Sequence, residues 1–424
     1  MLAAACVAVT AAGCGSTPTS KPATDVVAVR GVAAVEHAAD PRPLGVADTA
    51  FGLDVMRAWC ARYPEQNLVF SPSTLASALG LAYLGARGAT AQAMARVLHL
   101  PAVDPGVLAA QLQARSRALA ALDGPGVTLA ASNQVWADPT LTTLRGYLNA
   151  AATDYSAGVD QAPFSSNPRL ASNEINQAIS AATRGHISQL VTPDMLANIG
   201  WVLTSALYLD ANWATPFEAG KTAPASFTPA GARAVSVPFM NGNGFRFATT
   251  AGWTAVSLPY VGGKLAMTAL LPPSGSGSCA LPSTTALHTL ADTLAARGQL
   301  PFADTALVSL PKVKLSVTGD TGSMNGELEQ LGMGQAFGHS ADFTGLSPQA
   351  CCIGFVQQAA TLQVGEKGTV ASAAAAVGIT ALSGAAIAHT VVFNRPYLML
   401  VTDTSTGEPL FLAKVANPAA AAAA

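Results

Sequence analysis

Between Lys367 and Arg395 the sequence carries no acid and no fixed base; His389 is its one titratable side chain. The stretch GEKGTVASAAAAVGITALSGAAIAHTVVFNRP, residues 365–396, is long enough to cross a bilayer. It could equally fill a core as a buried helix, or stay uncharged for another reason. Its Ala, Gly, Ser and Thr gain little from lipid, which argues against a span. Over the whole chain half of the residues are hydrophobic and 11% are charged, so a large core can form and global disorder is excluded. Net charge is −2 with no basic stripe, which removes a nucleic-acid footprint.

Periodicity divides the chain into helices followed by strands. Phe51, Val55 and Trp59 at helical spacing predict a helix over about Asp48–Tyr63. Ser71-Pro72-Ser73 is a helix-start signal for a second helix ending at Gly85. Further helices are expected at Thr90–Leu98, Gly106–Leu122, Thr142–Tyr155 and Asn167–Thr183, with a strand at VTLAASNQVWA between them. From Trp201 the pattern becomes strand-rich: WVLTSALYLDANW, VSVPFMN, TAVSLPY, LAMTALLP, ALVSLPKVKLSV, IGFVQQAATLQV, PYLMLVTD and PLFLAKV. Short helices at Thr284–Arg297 and Gly322–Leu331 interrupt it. This order predicts one large α+β domain rather than alternating βαβ units.

The first fourteen residues, MLAAACVAVTAAGC, read as an export segment. Small residues before Cys14 and the following GSTPTSKP are similar to a lipoprotein cleavage site, with lipidation expected at Cys14; an ordinary secretory signal is the alternative. Residues 15–47 are expected to be a flexible tether, 48–418 the folded domain, and 419–424 a frayed Ala tail. Cys60, Cys279, Cys351 and Cys352 permit three pairings among which the sequence does not choose. Free or singly bridged thiols are favoured, and the spacing fits no zinc site.

Motifs for enzymatic chemistry fail. GKT at 220–222 lacks the upstream Gly of a phosphate loop, Thr215 standing in its place. Ser309-Leu-Pro-Lys312 has the spacing of penicillin-binding enzymes but sits in a strand-like run with no later Lys-Thr-Gly. No His-Glu-x-x-His and no Gly-x-Ser-x-Gly occurs.

A different set of motifs agrees over nearly the whole chain. NLVFSPSTLASALGLAYLGARGATAQAMARVLHL (67–100) carries Asn, Ser-Pro, Ala-Leu, Gly-Ala-x-Gly-x-Thr and a leucine in order. INQAISAATRGHI, VLTSALYLDANWATPF, VSLPY, LPK, LGMGQAFGHSADFTGLS, GEKGT and NRPYLMLVTDTSTGEPLFLAKVANP follow in sequence. This series resembles the serpin family. The resemblance implies an α+β fold of three β-sheets with eight or nine helices. It implies a protease inhibitor rather than an enzyme, acting as a suicide substrate on serine or cysteine endopeptidases. The alternative it leaves is a non-inhibitory serpin used for binding or structure.

The uncharged run then reads as the reactive-centre loop, about residues 366–394. In the family a protease cuts this loop, and the loop inserts into the central sheet before the acyl-enzyme is hydrolysed. Inserted residues alternate between faces. Counting from Thr369, the inward set is Thr369, Ala371, Ala373 and Ala375, all small and uncharged, with Glu366 and Gly368 completing the hinge. A charge there would be buried unpaired, and a bulky group would overpack the sheet. The family count of about seventeen residues from the hinge Glu puts the reactive bond at Leu382–Ser383, within about two residues. Leu382 suits chymotrypsin-, elastase- or subtilisin-like enzymes with apolar pockets. The resemblance also pairs Glu366 with Lys312 beside Trp213, a breach at the top of the sheet. It places Ser71, Thr74, Ser205 and Gln358 in a shutter beneath the opening strands. Ser205 and Gln358 stand where relatives carry Asn and His, Gln177 where they carry Trp, and Gly365 where they carry Asn. We expect a monomer with no cofactor, no metal and no nucleic-acid partner, touching a membrane only through a lipid anchor.

Overall fold

The seven-stranded central sheet is built around three long strands. β3 (Val127–Ala137) pairs antiparallel with β5 (Trp201–Asn212) along its whole length, and β5 runs parallel to β12 (Gln357–Gly365) over Thr204–Leu207. β11 (Val313–Val317) closes one edge on β12. The other edge is β4 (Val159–Gln161) covered by β1 (Val27–Val29). In the computed structural model residues 27–34, 38–197, 199–296, 305–317, 322–369 and 389–420 are described.

The second sheet has two leaves joined by one long strand, β7 (Val235–Thr250). Its first part holds β6 (Ala223–Phe227) and β10 (Thr305–Pro311), with β14 (His389–Val392) parallel to β10. Its last part begins the run β8 (Trp253–Pro259), β9 (Leu265–Leu271), β15 (Tyr397–Asp403), β16 (Pro409–Val415) and β2 (Leu68–Phe70). With the central sheet, these leaves make the three-sheet α+β architecture expected.

Eight α-helices occur among the described residues. They are α1 (Arg42–Arg62), α2 (Pro72–Gly85), α3 (Gly88–Val97), α4 (Pro105–Ala120), α5 (Arg145–Tyr155), α6 (Pro168–Ala182), α7 (Thr284–Ala296) and α8 (Asn325–Leu328). Ser71 starts α2 because its Oγ accepts from Thr74 N while Pro72 needs no partner at the first turn. α6 lies over one face of the central sheet: Ala171, Ile175 and Ile179 pack with Val202 and Ala206 of β5 and Ala359 of β12. The opposite face joins the main core through Leu207, Leu209, Ala211, Ala360, Leu362 and Val364.

Several boundaries differ from the sequence reading. The segment expected to be tether contributes β1, held by Arg30 on Asp160 at 2.7 Å, and α1 starts at Arg42 rather than near Asp48. ALVSLPKVKLSV is two strands in two sheets, divided at Lys312, whose amide donates to Pro238 O of β7 just past the last β10–β7 pair, Pro311 with Phe239. IGFVQQAATLQV becomes strand only from Gln357. The helix expected over Gly322–Leu331 is one short turn, α8, followed by a wider turn at Glu329–Met333. Cys60 and Cys279 form a disulfide with Cα atoms 5.7 Å apart, while Cys351 and Cys352 are free.

Candidate functional site

Glu366 sits in a turn at the end of β12, and the chain there is fixed from three directions. Its carboxylate accepts from Lys312 Nζ at 2.9 Å and from Thr222 Oγ1 at 3.0 Å. Its carbonyl accepts from Phe217 N, and the Lys367 carbonyl accepts from Trp213 N, both at 2.8 Å. Trp213 Nε1 donates to Gly365 O at 2.9 Å. Partial burial pushes the Glu366 carboxyl up, but the hydrogen bonds from Lys312 and Thr222 and the lysine charge outweigh it. The result is a pKa below the usual glutamate value.

Beyond this turn the chain re-enters the sheet. Gly368 and Thr369 form a two-residue strand, β13, antiparallel to both neighbours and seated between them. Gly368 pairs with Gly365 and Asn212, and Thr369 with Val364 and Ala211. Only glycine fits at 368, because a Cβ there would meet Ala211 O at 2.0 Å. Thr369 is fully buried, and its Oγ1 lies 2.6 Å from the hydroxyl of Tyr260, itself stacked on Trp213 at 4.4 Å. Burial raises the Tyr260 pKa, and the bond to Thr369 partly offsets the rise. The hydroxyl therefore stays neutral and serves as a hydrogen-bonding partner.

Below β13 the cleft is closed, since β5 and β12 pair directly from Leu207 and Ala360 downward. Gln358, opposite Ser205 in this ladder, donates its Nε2 to Ser71 O at 3.0 Å and is buried. Ser71 Oγ lies 3.3 Å from Ser73 Oγ and also caps Thr74 N. Thr74 is buried beside them, and its Oγ1 and Gln358 Oε1 have no hydrogen-bond partner among the described residues. Three of the four residues expected at the shutter thus converge; the side chain of Ser205 lies outside what is described.

Ala371, Ala373, Ala375, Leu382 and Ser383 lie outside the described residues, as does Cys14. The far end of the expected loop is shorter than its reading to 394, since β14 begins at His389. Sequence reasoning missed Tyr260, Thr222 and Phe217. Tyr260 was visible in VSLPY, but its partner Thr369 is distant in the chain and nothing local announces the bond.

The chain matches a protein-family model described as "Serpin (serine protease inhibitor)" over residues 46–418. It is 28% identical to Iripin-2 of Ixodes ricinus, over 87% of this chain and 92% of that protein. It is 27% identical to the leukocyte elastase inhibitor of Homo sapiens, over 88% of this chain and 99% of that protein. Among solved structures, the thermophilic serpin tengpin in the native state superposes with a TM-score of 0.75 at 24% identity, covering 92% and 97% of the two chains. Human kallistatin gives 0.74 at 24% identity, covering 89% and 98%. With this extent of match, and with a loop entering the central sheet between its two parallel strands, the chain belongs to the serpin family.

Proposed function

We propose that the protein is a suicide-substrate inhibitor of serine endopeptidases with apolar primary pockets, cut at Leu382–Ser383. The observation that carries this reading is the register of β13. Counting on from its two pairs on each side, Ala371 would lie between Leu209 and Leu362, Ala373 between Leu207 and Ala360, and Ala375 between Ser205 and Gln358. The ladder with β5 and the ladder with β12 give the same answer at each step, because Gln358 already faces Ser205 and Ala360 faces Leu207. The cleft is therefore shaped for one continuous antiparallel strand. Its inward positions would meet the apolar core already lined by Leu209, Leu207, Leu362 and Ala360. Small uncharged residues suit those places and charges do not.

The length also fits. Ile379 would come level with Trp201, where β5 begins, so Leu382 would sit just past the far end of the sheet. From Thr369 to Leu382 is roughly 46 Å at about 3.3 Å per residue. New ladder bonds at about 0.5–1.5 kcal/mol each sum to the order of ten kcal/mol. That is comparable with a domain's whole stability, about 5–15 kcal/mol. An enzyme acylated at Leu382 would be carried along the sheet and deformed.

We further propose export, with anchoring through Cys14 if it is lipidated. The test of function is incubation with chymotrypsin, an elastase and subtilisin, followed by denaturing electrophoresis and mass measurement of the released peptide. A covalent complex with at least one enzyme, and a peptide beginning at or within about two residues of Ser383, is expected. Clean cleavage without complex by every enzyme would leave a non-inhibitory, ligand-binding or structural serpin as the better reading.

A further inference from the structure

Cys351 and Cys352 are adjacent, free, and turned toward each other, with their Sγ atoms 2.8 Å apart. Cys351 is exposed and Cys352 half-buried. Adjacent side chains usually diverge, so this convergence is set by the loop that holds them. On one side Ala350 N bonds to Ser347 O; on the other Ile353 N bonds to Ala336 O, and Ile353 is buried in the main core. The loop then runs past Asn325, which accepts from Val356 N and donates to Gly354 O, and enters β12 at Gln357. The two sulfurs therefore sit at the root of the strand beside which the cleft is closed.

We propose that Cys351 and Cys352 form a reversible redox site that closes into a vicinal disulfide by exchange with a low-molecular-weight disulfide. The Cys351 thiolate, the exposed one, attacks one sulfur of the small disulfide. A mixed disulfide forms on Cys351 and one small thiol leaves. The Cys352 thiolate then attacks Cys351 Sγ, the new protein bond forms, and the second small thiol leaves. Two protein thiols are oxidised, one small disulfide is reduced to two thiols, and both protons end on the leaving groups. Burial first, and then the neighbouring Cys351, push the Cys352 thiol up to about 11, so only a small fraction is ionised at neutral pH. The attack is intramolecular across 2.8 Å, and this proximity offsets the low thiolate fraction.

The resulting bond is a weak one. Adjacent Cα atoms stand about 3.8 Å apart. Ordinary disulfides span about 4.4–6.8 Å, so a vicinal bridge is strained and easily reduced. Cys60–Cys279 differs on both counts, with a 5.7 Å Cα separation and Cys60 wholly buried. Among the described residues there is thus one lasting bridge and one switchable pair, whose closure fixes the peptide leading into β12. This inference is independent of the inhibitory reading.

The test uses the full chain treated with oxidised glutathione, digested without reduction and analysed by mass spectrometry alongside a thiol titration. The expected product is a peptide carrying both Cys351 and Cys352 that has lost two hydrogens and bears no glutathione, with the thiol titre of the chain lowered by two. Reduced glutathione should restore both thiols while Cys60–Cys279 stays closed. In Cys352→Ser, glutathione should remain attached to Cys351, because nothing resolves it. Persistence of free thiols at Cys351 and Cys352, glutathione on both of these cysteines in the unaltered chain, or a dimer bridged through them would each overturn the proposal.

Discussion

The hydroxyl of Tyr260 and Oγ1 of Thr369 lie 2.6 Å apart in a site closed to water, and this bond ties the first inserted residue of the loop to the second sheet. Replacing Tyr260 by Phe leaves the Thr369 hydroxyl buried without that partner. Losing one side of a buried bond costs about 1–3 kcal/mol. The expected outcome is faster amide exchange at Gly368 and Thr369, roughly ten- to hundredfold, with β3 unchanged. Equal acceleration across the whole sheet would show global destabilisation instead of a local release.

Thr369→Arg tests insertion from the other side. A guanidinium would be expelled from the buried place Thr369 holds in β13 and could return on insertion only by entering the apolar core without a counter-charge, at a cost of several kcal/mol. About 3 kcal/mol slows insertion by about a hundredfold. Hydrolysis of the acyl-enzyme should then win, and the variant should be cleaved at the same bond without trapping the enzyme. Retained trapping would remove insertion from the mechanism.

The Glu366–Lys312 pair gives the turn before β13 a pH dependence. The carboxyl pKa is lowered in the fold, so its contribution is complete above the ordinary glutamate value and is lost as pH falls through the folded one. Acidification below about pH 4 should raise exchange at residues 365–369. Glu366→Gln should show that faster exchange at neutral pH and little further change on acidification. The pair is partly exposed, so the effect is a loosening of the turn, not unfolding.

A second pH effect has the opposite sign. Asp48, Arg115 and Glu408 are buried together, with Arg115 2.7 Å from Asp48 and 4.0 Å from Glu408. Burial first, and then the Asp48 charge, raise the Glu408 pKa well above 4.5. A carboxyl whose folded pKa is raised gives stability that is full below the unfolded value and falls as pH rises through the folded one. Thermal stability should decline as pH is raised from near 4.5, and Glu408→Gln should flatten that decline. An unchanged slope in the variant would assign the decline to other groups.

At the shutter, Gln358 carries the bond that relatives were expected to make through His. An amide does not titrate, so sheet opening should be independent of pH near neutrality. The rate at which a synthetic peptide of the loop sequence enters the sheet measures it. Gln358→His should make that rate pH-dependent around the ordinary His value near 6.5. A neutral-pH titration in the unaltered protein would assign gating to another group.

Much of this was legible in the chain because local chemistry and the final environment agree. β3 has the bounds expected for it, β5 ends one residue short of its expected end at Trp213, and α2 starts where Ser71 and Pro72 place a cap and a proline. What was hidden depends on contacts between distant segments. The break at Lys312 is invisible in a continuous apolar pattern, because the chain changes sheets there without changing character. β13 has only two residues and so no periodicity, and its place is set by the paired walls of β5 and β12. β1 lies in the segment expected to be a polar, Pro-containing tether, where Val27-Ala28-Val29 is too short an apolar stretch to announce a strand; Asp160 and the β4 edge hold it. The pairing of Cys60 with Cys279 follows from geometry that four cysteines in a row of letters do not contain.

The central claim is that the cut loop becomes a strand between β5 and β12, and the thermal stability of the cleaved protein tests it most directly. The chain is nicked near Leu382 with a protease that is then removed, and its melting temperature is compared with that of the intact chain. Insertion on the order of ten kcal/mol predicts a rise on the order of ten degrees or more in the cleaved form. A melting temperature that stays the same or falls after cleavage would contradict the account.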